Sequence, residues 1–438
     1  MKRQLVLIAL AVLFAPLPSA WAAGFNIYEM GSRATALGGA FTATADDPSA
    51  IFFNPAGLSF QPEGWQLSLN VSPLHPESKF TRSAGATALS YPGDVQSATA
   101  GKWFFPTGAY LSYKQGDWSA GFGVFTPFGL GVDWDRKDTF AGRPLSSNAE
   151  IQGYYLSPVV SYQPHRRLAL SIGAHAVITH LTLENIATAN LGTGADDLNI
   201  ADVKINGTSH VSMGLAAALM YKPIDPLTLG LNYKMGVTNK FRGADATVTQ
   251  RLTGSQSIDA AVTAALGSKL GTQGVSGDLD FPDLLMSAVR YEFSPRFALE
   301  ADYVLVGWST FDQVTLEFAD GSSETLTENY ENAWQIRVGG EYRHSDQLRF
   351  MAGYVHDTTP QPTGSISPLL PDANRNDYSL GVTWTSRDGR YDLTGGYMLV
   401  EFEDRNTIEN GVGQNYDGLD GAYSSRAHII TLGYTRRF

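Results

Sequence analysis

The chain lacks cysteine and carries few charges. Its 438 residues include 0 Cys, and only 17% are charged. The absence of thiols excludes a disulfide framework, a thiol nucleophile and a cysteine-ligated metal. The formal net charge of −12 argues against nucleic acid as a partner and against a polybasic surface that binds membranes.

Long apolar runs are missing as well. Beyond the N-terminus, no stretch reaches the roughly 18 uninterrupted apolar residues that a membrane-spanning helix needs. The one apolar segment, residues 5–14, follows Lys2 and Arg3 and precedes the small-x-small pattern Ala20-Trp21-Ala22. This arrangement is typical of a secretory signal peptide. We therefore predict a signal peptide at residues 1–22 and a mature, exported chain that begins at Ala23.

Alternation with a period of two dominates the rest of the chain. Apolar residues occupy every second position in several runs, for example Leu227, Leu229, Leu231, Tyr233, Met235 and Val237. The residues between them are small or polar, among them Asn232 and Lys234. Such a pattern predicts strands with one face in an apolar medium.

Connections of a few residues alternate with long ones at 75–102, 129–148, 184–207, 243–280, 312–331, 359–375 and 404–424. This alternation is typical of outer-membrane barrels, which have short periplasmic turns and long outer loops. We predict an all-β protein, a transmembrane antiparallel β-barrel of about 14 strands, each about ten residues long. The aromatic residues near strand ends predict interfacial girdles: Trp65, Trp103, Phe104, Trp118, Trp134, Tyr154, Tyr155, Trp308, Trp334 and Trp384.

Residues 24–60 have a different composition. They are rich in small residues and contain Asn54-Pro55-Ala56, where proline removes a backbone donor and restricts the preceding residue. We predict an N-terminal hatch (plug) at 23–62 inside the lumen of a barrel at 63–438. The hatch is expected to hold a short helix near 32–40 and a tight turn at Asn54-Pro55.

Several motifs resemble the FadL family of outer-membrane channels for long-chain fatty acids and hydrocarbons. They are Ala23-Gly24-Phe25, Asn54-Pro55-Ala56, Trp308-Ser309-Thr310-Phe311, the stretch 371–375 leading into 378–383, and a terminal strand that ends at Phe438. The last resembles the signal read by the barrel insertion machinery. The resemblance implies a monomeric fourteen-stranded barrel closed by a hatch, with passive uptake and lateral exit at a kinked third strand. It implies no cofactor and no metal.

The third strand is predicted at 118–130, and it contains the candidate lateral gate Gly121, Gly123, Phe125, Pro127 and Phe128. Proline in a sheet is confined to edges and bulges, and glycine marks bends or close approach. Pro127 therefore either interrupts the barrel wall or lies just past the end of the strand.

The loop 243–280 carries the apolar stripe Ile258, Val262, Leu266 and Leu270 at steps of four residues. This spacing predicts a helix, with Ser257 as its cap. The stripe either captures hydrophobic substrate on the outer surface or packs on a neighbouring loop.

A ligand carboxylate would need a buried cation. By alternation, Arg337 and Arg349 point inward on adjacent strands and are the candidate carboxylate partners. Glu300 and Asp302 also point inward and could pair with lumen cations instead. Because burial of one methylene contributes roughly 0.8 kcal/mol, we expect chain contacts to outweigh one ion pair in ligand affinity.

The sequence thus predicts a passive channel of the Gram-negative outer membrane, with long-chain fatty acids as the leading substrate. Its partners would be the hydrophobic ligand, outer-membrane lipid and the insertion machinery. The alternatives are a channel for monoaromatic or other hydrocarbons and, with less support, a lipid-hydrolysing enzyme. No serine context in the sequence singles out a nucleophile for the latter.

Overall fold

The computed structural model describes residues 24–83, 93–189 and 198–438. The predicted signal peptide and Ala23 lie outside the described residues. The helices are α1 Ser32–Ala36, α2 Ala50–Phe53 and α3 Gln256–Leu266, with 3-10 helices at Pro55–Phe60, Gly267–Lys269, Trp308–Thr310 and Thr363–Ser365. Within these ranges, no helix is long and apolar enough to cross a bilayer.

The strands are β1 Gly64–Val71, β2 Leu74–Arg82, β3 Gln96–Ala98, β4 Thr107–Gln115, β5 Trp118–Asp133, β6 Asn148–His165, β7 Leu168–Ala189, β8 Leu198–Thr208, β9 Ser212–Ile224, β10 Leu227–Lys234, β11 Val237–Gln250, β12 Gly271–Phe281, β13 Leu284–Ser294, β14 Phe297–Val306, β15 Gln313–Phe318, β16 Ser323–Thr327, β17 Ala333–Arg343, β18 Leu348–Asp357, β19 Arg375–Thr385, β20 Tyr391–Phe402, β21 Arg405–Asn406, β22 Ile408–Glu409, β23 Val412–Gly413 and β24 Gly421–Arg437.

The strands form one closed antiparallel barrel. Several wall strands consist of two consecutive segments, namely β1 with β2, β3 with β4, β8 with β9, β10 with β11 and β12 with β13. Counted in this way, the described residues form a barrel of 14 strands, closed where β24 pairs with β1 and β2. The predicted architecture is confirmed. Short turns lie at one end of the barrel, and the end with the long loops is called the outer end here.

The two faces of the wall differ in chemistry as the alternation predicts. Ile172, Met213 and Leu215 are 72%, 65% and 64% exposed on the outside. Asn232 and Lys234 are buried on the inside. An apolar outer face suits contact with lipid, because lipid tails offer no hydrogen-bonding partners.

Two expectations about the strands need correction. Several strands are much longer than about ten residues, and β7 has 22, because hairpins continue the wall beyond the outer end. Of the aromatic residues assigned to the girdles, Trp134, Tyr155 and Trp308 are instead buried inside the protein. Residues such as Trp65 and Trp118 do lie on the outer face, half exposed.

The N-terminal residues fill the lumen, and small residues make the fit possible. A Cβ atom on Gly353 of β18 would lie 2.2 Å from the backbone nitrogen of Gly38. A Cβ atom on Gly381 of β19 would lie 2.4 Å from the Cβ of Ala36. These distances are shorter than any van der Waals contact, so the hatch backbone rests directly on the wall at glycine positions.

The hatch helix is shorter than the predicted one. It ends at Ala36 rather than near Ala40, because Gly38 and Gly39 adopt positive φ angles of 66° and 72°. Left-handed backbone at these positions terminates a helix, as glycine commonly does. The reversal directs the next residues across the lumen toward β14.

Candidate functional site

The Asn54-Pro55-Ala56 motif lies in the centre of the barrel and ties the hatch to two walls. Asn54 is fully buried, and its amide donates to the carbonyl oxygens of Thr42, at 2.8 Å, and Leu219 of β9, at 3.1 Å. Its side-chain oxygen accepts from the Ala56 N–H and so caps the 3-10 helix. The Pro55 carbonyl accepts from Ser161 of β6 at 2.8 Å. The predicted tight turn is this capped 3-10 helix.

Two buried carboxylates on β14 hold the middle of the hatch. Glu300 accepts from the Ala43 N–H at 2.7 Å and from the Thr44 hydroxyl at 2.5 Å. Asp302 accepts from the Thr42 N–H at 3.1 Å. Pairing of these acids with lumen cations was one alternative, and the structure shows that they bind hatch donors. Alternation located them on the inner face and could not identify their partners.

Of the two candidate carboxylate partners, Arg337 contacts the hatch directly, and Arg349 shares an acidic partner with it. Arg337 donates to the Gly39 carbonyl at 3.2 Å and lies 4.4 Å from the ring centre of Tyr28. Arg349 lies 3.6 Å from Glu341, which is also bound by Arg33 of α1. Neither arginine lines either of the two cavities described below. Their role toward a ligand carboxylate stays a prediction.

The third wall strand, β5, is bulged at Thr126 and Pro127. Phe125 is opposite Tyr155 of β6, and Phe128 is opposite Gly153, so two residues of β5 face one of β6. The added residue places both Phe125 and Phe128 on the inner face, where both are buried. Pro127 therefore lies within the strand and not past its end, which decides between the two predicted positions.

Above the bulge, β5 loses its neighbour on the other side. Pairing with β4 ends at Gly108 and Phe125. Among the described residues, positions 126–132 of β5 form no ladder with residues 96–115. Gly121 and Gly123 lie below this point, in intact ladders on both sides, and face Ile51 of the hatch. The break in the wall is thus at Thr126 and beyond, not at these two glycines.

The N-terminal residues of the hatch replace the missing pairing. The Ile27 N–H donates to the Pro127 carbonyl at 2.8 Å, and the Asn26 side chain donates to the same oxygen at 3.1 Å. The Gly129 N–H donates to the Phe25 carbonyl at 3.0 Å. The hatch therefore satisfies backbone groups that a neighbouring wall strand would otherwise pair.

A cavity of about 490 Å³ lies at this break. It is lined by the hatch residues 24–27 and 29, by 102–107 from the segment between β3 and β4, and by Thr126 and 129–132 of β5. The aromatic residues Trp103, Phe104 and Phe105 stand at its wall side. We call it the wall cavity. Its lining is mostly apolar and includes three basic residues, namely Arg426, Lys102 paired with Glu150, and Arg375 paired with Asp357.

A second, narrower cavity of about 60 Å³ lies toward the outer end, and we call it the outer cavity. Its lining is almost wholly apolar: Ile151, Leu181, Leu183, Ile205, Phe241, Ala244, Val275, Leu279, Phe311, Val314, Leu316, Leu326 and Leu369, with Ser276, Gly277, Asp278 and Glu328. Ile151 lines both cavities.

An aromatic cluster centred on Phe25 separates the two cavities. The Phe25 ring meets four other rings edge to face, with centroid distances of 6.2, 5.8, 4.6 and 5.6 Å to Phe128, Phe281, Trp308 and Phe311. Phe25 lines the wall cavity and Phe311 lines the outer cavity. The Gly24 N–H donates to Asp372 at 2.9 Å, and burial raises the pKa of this loop carboxyl. The hatch terminus is therefore fixed between the two spaces.

The predicted capture helix exists in the outer loop, with different ends. It begins at Gln256, with Ser255 at the N-cap, so Ser257 is not the cap, and it ends at Leu266. Val262 is buried, Ile258 and Leu266 are partly buried, and Leu270 lies beyond a 3-10 turn. Gln250 of β11 bonds to the helix at Asp259 and Thr263. The apolar stripe thus faces the protein rather than open solvent.

Comparison with known proteins agrees with this architecture. Residues 15–438 match the family described as outer membrane protein transport protein (OMPP1/FadL/TodX). The chain is 25% identical to a putative outer membrane protein of Neisseria meningitidis serogroup B, over 100% of this chain and 99% of that protein. It is 23% identical to the long-chain fatty acid transport protein of Escherichia coli K12, over 89% and 91% of the two chains.

Solved structures share the fold. A FadL homologue from Pseudomonas aeruginosa superimposes with a TM-score of 0.79 at 20% identity, covering 94% of this chain and 99% of the other. The Pseudomonas putida toluene transporter TodX gives a TM-score of 0.70 at 16% identity, covering 95% and 100%. Because the family model matches nearly the whole chain, the protein belongs to the FadL/TodX family of channels for hydrophobic compounds, which are not enzymes, in the outer membrane of Gram-negative bacteria.

Proposed function

We propose that this protein takes up long-chain fatty acids passively and releases them sideways into the membrane through the break in β5. The observation that carries the proposal is the edge of β5 above Pro127, which forms no ladder with the described residues 96–115, is hydrogen-bonded by the hatch terminus and borders the wall cavity. A substrate would enter at the outer end, pass the aromatic cluster and leave between β5 and the segment that precedes β4.

Backbone chemistry explains why such a break needs the hatch. A lipid-facing wall must satisfy every N–H and C=O internally, because lipid offers no donors or acceptors. Pro127 has no N–H to contribute, and its carbonyl is satisfied by Asn26 and Ile27. When the hatch terminus moves away, this part of the wall becomes an opening rather than a stable surface. A hydrophobic molecule at this place partitions into lipid without crossing an aqueous phase.

The wall cavity suits a molecule with a chain and one acidic end. Its volume of about 490 Å³ exceeds the need of a single aromatic ring, and most of its lining is apolar. Lys102 and Arg375 bring positive charge to a space that is mostly apolar and also holds the acids Glu29, Glu150 and Asp372, and each of the two cations already has an acidic partner. Charge therefore orients the ligand, while the chain supplies most of the affinity, at roughly 0.8 kcal/mol for each buried methylene.

Monoaromatic hydrocarbons are the second candidate. Phe25 and the four rings around it form a surface on which a small aromatic ligand can stack edge to face. The two candidates differ in their dependence on ligand length. Affinity that rises with each added methylene favours the fatty acid, and affinity equal for toluene and for a long chain favours the hydrocarbon.

A reversible cross-link across the break tests the lateral route. Thr107 and Thr126 both line the wall cavity. They are the next residues on β4 and β5 beyond the last pair of the ladder, Gly108 and Phe125. Since the natural chain has 0 Cys, the double variant Thr107→Cys with Thr126→Cys carries the only thiols. We expect oxidation to abolish uptake of labelled oleate by host cells that lack their own channel, and reduction to restore it.

A matched control places the same chemistry in the intact wall. Leu380 of β19 and Tyr397 of β20 are direct neighbours on the lipid face. The pair Leu380→Cys with Tyr397→Cys should form a disulfide without any loss of uptake. Mass spectrometry verifies closure in both variants. Uptake that survives a verified link between residues 107 and 126 would exclude lateral exit and favour passage along the barrel axis.

A further inference from the structure

The outer cavity contains a carboxyl group without a partner. Glu328 follows β16, is buried, and lines the cavity. Its backbone N–H donates to the Asp312 carbonyl at 2.8 Å. Its side chain makes no hydrogen bond or ion pair with any residue in 24–83, 93–189 or 198–438. A buried carboxyl group is normally satisfied, so one left open toward a cavity points to a ligand.

Among the described residues, no basic side chain lines the cavity beside this group. None of the described residues that line the outer cavity is Lys, Arg or His. The other acid in the lining, Asp278, is already paired with Arg242 at 2.6 Å. Arg405 lies in the same outer region but bonds to the carbonyls of Gln361 and Asp372. Burial, with a smaller contribution from the charge of Asp417, raises the pKa of Glu328 to about 8.

Building on the proposed function, we propose that the outer cavity admits chains whose polar end is uncharged, namely an alcohol or a protonated carboxylic acid. When it is ionised, Glu328 is the residue that rejects an ionised carboxylate. A hydroxyl group can donate to or accept from the Glu328 carboxyl in either of its protonation states. When Glu328 is ionised, a ligand carboxylate would bring a second negative charge into a largely apolar space whose described lining has no cation, and such an arrangement is costly.

The two cavities then act in sequence on the head group. Where Glu328 is ionised, a fatty acid passes the outer cavity as the neutral acid and meets positive charge later, at Lys102 and Arg375 of the wall cavity.

Displacement of a neutral fluorescent probe, N-phenyl-1-naphthylamine, from the detergent-solubilised full chain tests the proposal. The competitors are 1-dodecanol and dodecanoate, compared at about pH 6 and about pH 10, on either side of the Glu328 pKa of about 8. We expect dodecanoate to weaken about tenfold relative to dodecanol at the higher pH, because repulsion between two partly buried charges is of that order.

Glu328→Gln removes the charge and nearly preserves the shape. This variant should abolish the weakening of dodecanoate relative to dodecanol at the higher pH, whereas Glu328→Asp should retain it. The control is Glu331→Gln, an exposed acid in the same loop, which should behave as the natural chain does. The proposal is overturned if dodecanoate still weakens relative to dodecanol at the higher pH in Glu328→Gln, or if this weakening disappears in Glu331→Gln. Failure of both competitors to displace the probe from the natural chain would instead overturn the proposed function.

Discussion

Two wall strands meet the hatch in different ways. β19 is paired along its whole length with β18 and β20, and it binds the hatch through side chains and close packing. Ser379 donates to the Ala36 carbonyl at 3.0 Å, and Asp377 accepts from the Tyr28 hydroxyl. β5 is bulged and lacks a neighbour on one side, and it binds the hatch through backbone groups at the break.

The difference indicates which part of the hatch is fixed. At β19 the wall is complete without the hatch, and the hatch is attached to it by specific contacts. At β5 the wall is incomplete without the hatch, and a few backbone hydrogen bonds close it. Each such bond contributes only about 1 kcal/mol net, so the terminus can leave β5 while α1 stays on β19.

The largest expected effect on the free energy of unfolding comes from adding a side chain at a glycine that touches the hatch, either on β18 beside β19 or on β5. In Gly353→Val, the new Cβ would meet backbone atoms of Leu37 and Gly38 at 2.2 Å, and neither can move aside. In Gly129→Val, the new Cβ would meet the flexible end of Ile27 at 2.7 Å. We expect a loss of about 3 kcal/mol in the free energy of unfolding for Gly353→Val and less than about 1 kcal/mol for Gly129→Val. Urea unfolding in detergent measures the free energy of unfolding of both variants. Equal losses would contradict the conclusion that the hatch is fixed at β18 and β19 and can be released at β5.

An intermediate effect on the free energy of unfolding comes from removing one hydroxyl group that binds the hatch to β19 or one that binds it to β4, the neighbour of β5. Tyr28→Phe deletes the hydrogen bond to the buried carboxylate of Asp377, and Tyr110→Phe deletes a 2.5 Å bond from β4 to the Met30 carbonyl. A bond to a charged group contributes about 1.5–3 kcal/mol and a neutral one about 1 kcal/mol. The free energy of unfolding should therefore fall more for Tyr28→Phe. The reverse order would show that the β19 side does not anchor the hatch.

The smallest effect on stability, with a clear effect on transport, is expected for Asn26→Ala. It removes the 3.1 Å bond to the Pro127 carbonyl, at a cost of about 1 kcal/mol. Because this bond closes the break, the initial rate of oleate uptake should rise while the barrel unfolds almost as before. Thr44→Ala, which removes a hatch bond at β14, serves as the control and should not raise the rate. A rise of equal size in both variants would mean that general loosening of the hatch, rather than release at β5, controls transport.

Local sequence rules predicted most of the wall. A period of two fixes which residues face inward, so Asn232, Lys234, Glu300 and Asp302 were assigned to the lumen correctly. Pro127 marked the anomalous strand because proline cannot donate in a ladder. The same rules also placed Gly121 and Gly123 in the candidate gate, although both lie in intact ladders, since nothing in the sequence indicates where β4 stops pairing with β5.

What the sequence determined by itself, then, is the barrel, the two faces of each strand and the distinct N-terminal segment, because these follow from periodicity and composition along a few neighbouring residues. Only the tertiary structure decided which residues of the hatch contact which residues of the wall and loops. Glu300 binds Ala43, Arg337 stacks on Tyr28, and Trp308 packs on Phe25 inside the barrel rather than at its rim. Each of these pairs joins residues more than 250 positions apart. Their meeting depends on how the closed wall encloses the hatch, which no short-range pattern can encode.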